Sequence, residues 1–123
     1  MKRIWLILFI LWSTSVRSQN YSMPGGTVTT CSGNFYDTGG NGGNYASNEN
    51  VTTTFCPSTA GQCVSVSFNS FNVESGFDFL YIYNGPNTGS PQVAGSPFTG
   101  ATSPGSVISS AAGGCLTFRF TSD

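Results

Sequence analysis

Three carboxylates define the chemistry open to this chain. Glu74 and Asp78 stand four positions apart around Ser75 and Gly76, and a third, Asp123, follows the alternating run Leu116-Thr117-Phe118-Arg119-Phe120. Carboxylates gathered on loops repel one another unless a cation sits between them. A hard dication such as calcium takes oxygens of this kind, together with backbone carbonyls and water. Calcium is therefore the cofactor expected on Glu74, Asp78 and Asp123.

Those acids meet only if particular elements bring them together. Phe79, Tyr81 and Tyr83 alternate with Leu80 and Ile82, the period of two that marks a strand. The run 116–120 alternates in the same way. If these two strands are antiparallel neighbours, the start of the first lies beside the end of the second. Asp78 and Asp123 then share one pole, with Glu74 close by.

Other chemistries are closed or weakly supported. The chain has no histidine, so a serine or cysteine nucleophile cannot be activated by imidazole. The four cysteines lack the paired CxxC spacing of a zinc site. Asp37-Thr38-Gly39 is the tripeptide of aspartic proteases, but a catalytic dyad needs two such aspartates sharing a proton. An Asx-type turn is expected there instead. The run Gly39-Gly40-Asn41-Gly42-Gly43-Asn44 is similar to a single unit of the RTX calcium repeat, yet it lacks the aspartate and occurs once, whereas a β-helix needs several turns. A glycosidase pair of acids has little weight without a larger pocket-forming chain.

The first residues belong to a different argument. Met1-Lys2-Arg3 is a short basic segment, 4–12 is apolar, and 13–18 is small and polar. The apolar run is too short to span a bilayer and has the length of a signal-peptide core. Residues 1–18 are expected to be a signal peptide cut after Ser18. Residues 19–123 then form a single domain. Lys2, Arg3 and Arg17 leave with the leader, so Arg119 faces Asp37, Glu49, Glu74, Asp78 and Asp123. One basic against five acidic side chains leaves a charge of −4. Nucleic acid and anionic membranes are poor partners for such a surface.

Low charge with many aromatic and β-branched residues points to a packed core, and no stretch has helical period, so the chain reads as all-β. Residues 19–30 are expected to be a flexible lead-in followed by a first short strand over 27–31. Residues 32–45, rich in Gly and Asn, read as a long loop with several positive φ angles. Strands are expected over 51–56, 63–68, 79–83, 107–110 and 116–120, with short edge segments near Val93 and Phe98. Val64, Val66 and Phe68 should face inward. This pattern predicts a jelly-roll-like β-sandwich of antiparallel strands spanning 31–123. Four cysteines in an exported chain predict two disulfides, with three connectivities open.

Three blocks taken in order resemble a CUB domain. The first is Val64 to Glu74, an alternating strand closing in F-x-x-F-x-x-E. The second is Phe77 to Gly85, with D-x-L-x-I-x-x-G, and the third is Leu116 to Asp123, with L-x-F-x-S-D. The resemblance implies a jelly-roll sandwich in a secreted or cell-surface protein that binds and does not catalyse. It implies calcium on Glu74, Asp78 and Asp123, with Tyr36 or Tyr45 in support and Asp37 or Glu49 nearby. The ion would order loops that meet an extracellular protein, often through a lysine of that partner. A carbohydrate-binding module, with Phe79, Tyr81 and Tyr83 stacking on sugars, is the alternative. An accessory domain of a larger secreted enzyme comes third.

This chain also departs from the family pattern. No cysteine lies between Glu74 and Asp78, where the family's second disulfide commonly closes. Cys63 and Cys115 each open a strand running toward the acidic pole, so Cys31–Cys56 and Cys63–Cys115 are the expected pairs. Each cysteine is out of phase with its strand's inward residues, so the strand ends must twist to join. A CUB domain continues past S-D to a closing strand, so the sandwich is expected to be incomplete at its C-terminal end and to belong to a longer protein with downstream domains. The composition and leader suit a bacterial exported protein.

Overall fold

The computed structural model describes residues 18–123, so the expected signal peptide lies outside the described residues but for Ser18. Eight strands follow in order: β1 (Asn20–Ser22), β2 (Gly26–Thr30), β3 (Asn34–Tyr36), β4 (Asn50–Pro57), β5 (Ser65–Ser67), β6 (Phe79–Tyr83), β7 (Ser106–Ile108) and β8 (Leu116–Thr121). One 3-10 turn, Gly40–Gly42, precedes β4. A four-stranded sheet has the order β2-β4-β8-β6, and two-stranded pairs β1-β3 and β5-β7 complete the molecule. The fold is all-β and sandwich-like.

β8 explains why the four-stranded sheet is the stable layer. It lies between β4 and β6, antiparallel to both. Leu116, Phe118 and Phe120 point into the core, as their alternation requires. Thr117 faces the other way and is equally buried. Its hydroxyl donates to the Gly85 carbonyl at 2.9 Å and shares a 2.8 Å hydrogen bond with the Thr54 hydroxyl. Both polar groups are thereby satisfied, which removes the cost of burying them.

Aromatic rings join the layers. Phe118 lies 6.0 Å from Phe55 of β4, 5.1 Å from Phe35 of β3 and 6.4 Å from Phe68, which follows β5. Both two-stranded pairs are thus seated on one side chain of the central strand. A cleft of about 290 Å³ runs between β3 and β5, lined by residues 33–36 and 65–70.

Several expectations are corrected. The stretch before the expected first strand is not a loose lead-in, because β1 pairs with β3 and Met23 is buried, while the first strand expected over 27–31 is β2, paired with β4. The expected long loop over 32–45 contains β3 and the 3-10 turn, and Gly40, at φ 73°, is its single residue with positive φ. The strands are not all antiparallel either, because β1-β3 and β2-β4 run parallel. The segments near Val93 and Phe98 reduce to single bridges, Tyr83 with Gln92 and Leu80 with Phe98.

The disulfide assignment also changes. Cys56 is bonded to Cys115, with Cα atoms 4.3 Å apart, while Cys31 and Cys63 are free and exposed. The sheet register gives the reason. β4 and β8 pair Phe55 with Leu116, so the next opposed positions are Cys56 and Cys115. The parallel register of β2 on β4 sets Thr29, not Cys31, beside Cys56. Cys63 leads into β5, which pairs with β7 and not with β8, so Cys63–Cys115 does not form.

Candidate metal centre

The two strands meet as their sequences require. β6 pairs with β8 in a register that sets Phe79 opposite Thr121, so Asp78 and Asp123 lie at one pole. Glu74 joins them through a turn whose backbone is closed by the Asp78 N–H donating to the Glu74 carbonyl at 3.0 Å. Gly76 takes φ 81° in that turn, a conformation that favours glycine. Its N–H donates to the Thr99 hydroxyl at 2.8 Å, and Thr99 in turn donates to the Glu74 carbonyl at 3.2 Å. The turn is tied to the neighbouring loop as well as to itself.

Each of Glu74, Asp78 and Asp123 offers a carboxylate oxygen, and these oxygens lie within 4.8 Å of one another. Asp78 is only 2% exposed, whereas the other two are open to solvent. The buried carboxylate accepts two hydrogen bonds, from the Tyr45 hydroxyl at 2.5 Å and from the Asp123 N–H at 3.2 Å. Neither donor carries a positive charge. Arg119, the sole basic side chain among the described residues, donates to Asn50 and lies over the Tyr81 ring at 5.5 Å. A buried acid beside two more, with no cationic side chain bonded to it, is the situation a bound dication relieves. The donor set is oxygen only, which suits calcium.

Residues remote in sequence hold this pole in shape. Tyr45 packs its ring against Phe120 with centroids 4.8 Å apart, and its hydroxyl also accepts the Glu74 N–H at 3.1 Å. One phenol therefore bridges the two acids. Ser122 receives the Glu49 N–H on its hydroxyl at 3.0 Å and donates that hydroxyl to the Ala46 carbonyl at 2.7 Å. The Asn48 N–H reaches the Asp123 carbonyl at 2.9 Å. The segment carrying the third carboxylate is pinned to residues 46–49.

The supporting residues proposed from sequence divide clearly. Tyr45 serves the site. Tyr36 lines a cavity of about 470 Å³ with Asp37 and Phe71, and Tyr45 borders the same cavity from the side of the acids. Asp37 accepts the Gly39 N–H at 2.8 Å, the Asx turn expected of Asp37-Thr38-Gly39. Glu49 turns its carboxylate to the Thr38 hydroxyl and the Ala46 N–H, and it meets the site's segment through its backbone alone. Ser122 and Thr99 were not singled out from sequence. Serines and threonines are common in this chain, and nothing local distinguishes these two.

The aromatic face proposed for sugar stacking is partly covered. Tyr83 is buried, and Phe79 and Tyr81 are half-buried with Arg119 over one ring. The exposed apolar side chain at the acidic pole is Phe77, in the turn between Glu74 and Asp78.

No family model matches the chain, and no curated protein does.

Burial, and then the hydrogen bond to Asp78, hold the Tyr45 phenol above its ordinary value of 10.0. A group that binds its proton more tightly when folded stabilises fully below its unfolded pKa, and that contribution is lost as pH rises through the folded value. Stability should therefore fall above pH 10, and Tyr45→Phe should flatten that fall. Unfolding by denaturant at stepped alkaline pH, with phenolate absorbance followed in parallel, reads both effects. Equal pH slopes in the two proteins would refute the assignment.

Proposed function

We propose that the chain is a non-catalytic, calcium-assisted binding module of the CUB type, acting outside the cell on an extracellular protein. The observation that carries this reading is the buried Asp78 carboxylate, grouped with Glu74 and Asp123 and bonded to no basic side chain. Calcium would be held by those three residues, and its part is to neutralise and order the pole. The turn beside it presents Phe77, 59% exposed, next to acidic groups. A partner offering a basic side chain and an apolar surface together would match that pole.

Export is supported by the leader-like residues 1–18 and by the Cys56–Cys115 disulfide, a bond that persists in oxidising compartments. Among the described residues no helix is long and apolar enough to cross a membrane. A bacterial surface or secreted protein with further domains fits this reading.

Calorimetric titration of the chain with calcium tests it. A saturable signal that a chelator reverses, and that Glu74→Ala diminishes, is the expected result. A flat titration, or one indifferent to that substitution, would overturn the reading.

A further inference from the structure

The two free cysteines belong to one feature of the molecule. Thr30 ends β2, and its carbonyl accepts the Ser58 N–H at 3.1 Å, which places Cys31 beside the start of the β4-to-β5 connection. Cys63 sits at the other end of that connection, where the Val64 N–H donates to the Gly114 carbonyl at 2.8 Å. Both cysteines line one open cleft of about 310 Å³, with Thr30, Pro57 and Gln62 on its walls. Both are exposed. Cys56 and Cys115, already bonded, lie alongside, so all four cysteines occupy the pole opposite the carboxylates.

We propose that Cys31 and Cys63 form a second disulfide across the mouth of this cleft. The two S–H bonds break and one S–S bond forms, and the two protons leave together with two electrons. The two electrons go to a disulfide oxidant, which is reduced to two thiols. Cysteine Cα atoms must approach within about 7 Å for such a bond. The connection 58–62, exposed throughout and with Gly61 at φ 80° in open space, is the segment that would adjust to close the bond.

This bridge would differ in kind from the one present. Cys56–Cys115 joins two strands that already exchange backbone hydrogen bonds within one sheet. Cys31–Cys63 would tie the end of β2, in the four-stranded sheet, to the entry of β5, in the facing pair. Of the three ways to pair four cysteines, it is the one that keeps Cys56–Cys115 intact.

Oxidation of the purified full chain with glutathione disulfide, followed by alkylation and mass spectrometry, tests the proposal without reference to calcium or to where the chain resides. Wild type should carry no alkylated cysteine and remain monomeric. Cys31→Ser should carry one label, placed on Cys63 by fragmentation, and Cys63→Ser one label on Cys31. Three outcomes would overturn the proposal: two labels on the oxidised monomer, a disulfide-linked dimer, or a label on Cys56 in Cys31→Ser. The last would mean that Cys31 pairs with Cys56 instead.

Discussion

Saturating calcium should raise the midpoint of thermal unfolding on the order of ten degrees, and Asp78→Asn should abolish the rise. A ligand that binds only the folded state stabilises it by about 2.7 kcal/mol at a hundred times its dissociation constant. For a domain of this size each kcal/mol moves the midpoint by roughly 4–8 °C. Asp78 is the residue to change because it is the buried member of the group and touches both Tyr45 and the Asp123 backbone. Without calcium the sign reverses. Asparagine removes one of three mutually repelling charges, and it can still accept at one atom and donate at the other. The variant should then match or exceed wild type in chelator and fall below it in calcium. Parallel melts in the two buffers, by circular dichroism, decide the matter. An equal calcium shift in both proteins would refute the site.

Phe118→Ala should cost about 3–5 kcal/mol, the range for removing a large aromatic side chain from a packed core. That is a large share of the stability of a domain whose total is on the order of 5–15 kcal/mol. The side chain is fully buried on the central strand and contacts rings from β4, from β3 and from the segment after β5. Its loss would leave a void where the three sheets converge. Phe77→Ala, at an exposed position, should stay within about 0.5 kcal/mol of wild type. Equilibrium unfolding in urea compares the two. Similar midpoints for both variants would mean that the sheets do not depend on this contact.

The site was legible where the sequence itself alternates. Phe79 to Tyr83 and Leu116 to Phe120 each carry the period of a strand, and their observed pairing places Asp78 by Asp123 as that period suggested. The Asx turn at Asp37 was legible for the same reason, since its determinants lie within three residues. β1 was not. Asn20, Tyr21 and Ser22 form a strand only because β3 supplies its hydrogen bonds, and nothing in three mostly polar residues announces that partner. The disulfide was missed because it depends on the β4-β8 register, a property of two strands and not of either. The choice of Tyr45 over Tyr36 likewise needed the ring of Phe120, 75 residues further along the chain.

The position of Arg119 has one more consequence. Among the described residues, trypsin has a single target bond, the one after Arg119, and no lysine offers another. That bond lies inside β8, flanked by β4 on one side and β6 on the other. A protease must draw several residues into extended form in its own cleft, so it cannot act until β8 has left both neighbours. Tryptic cutting at that bond therefore reports release of β8 from both its neighbours. The bond after Arg119 is shielded from trypsin-like proteases for as long as β8 stays paired.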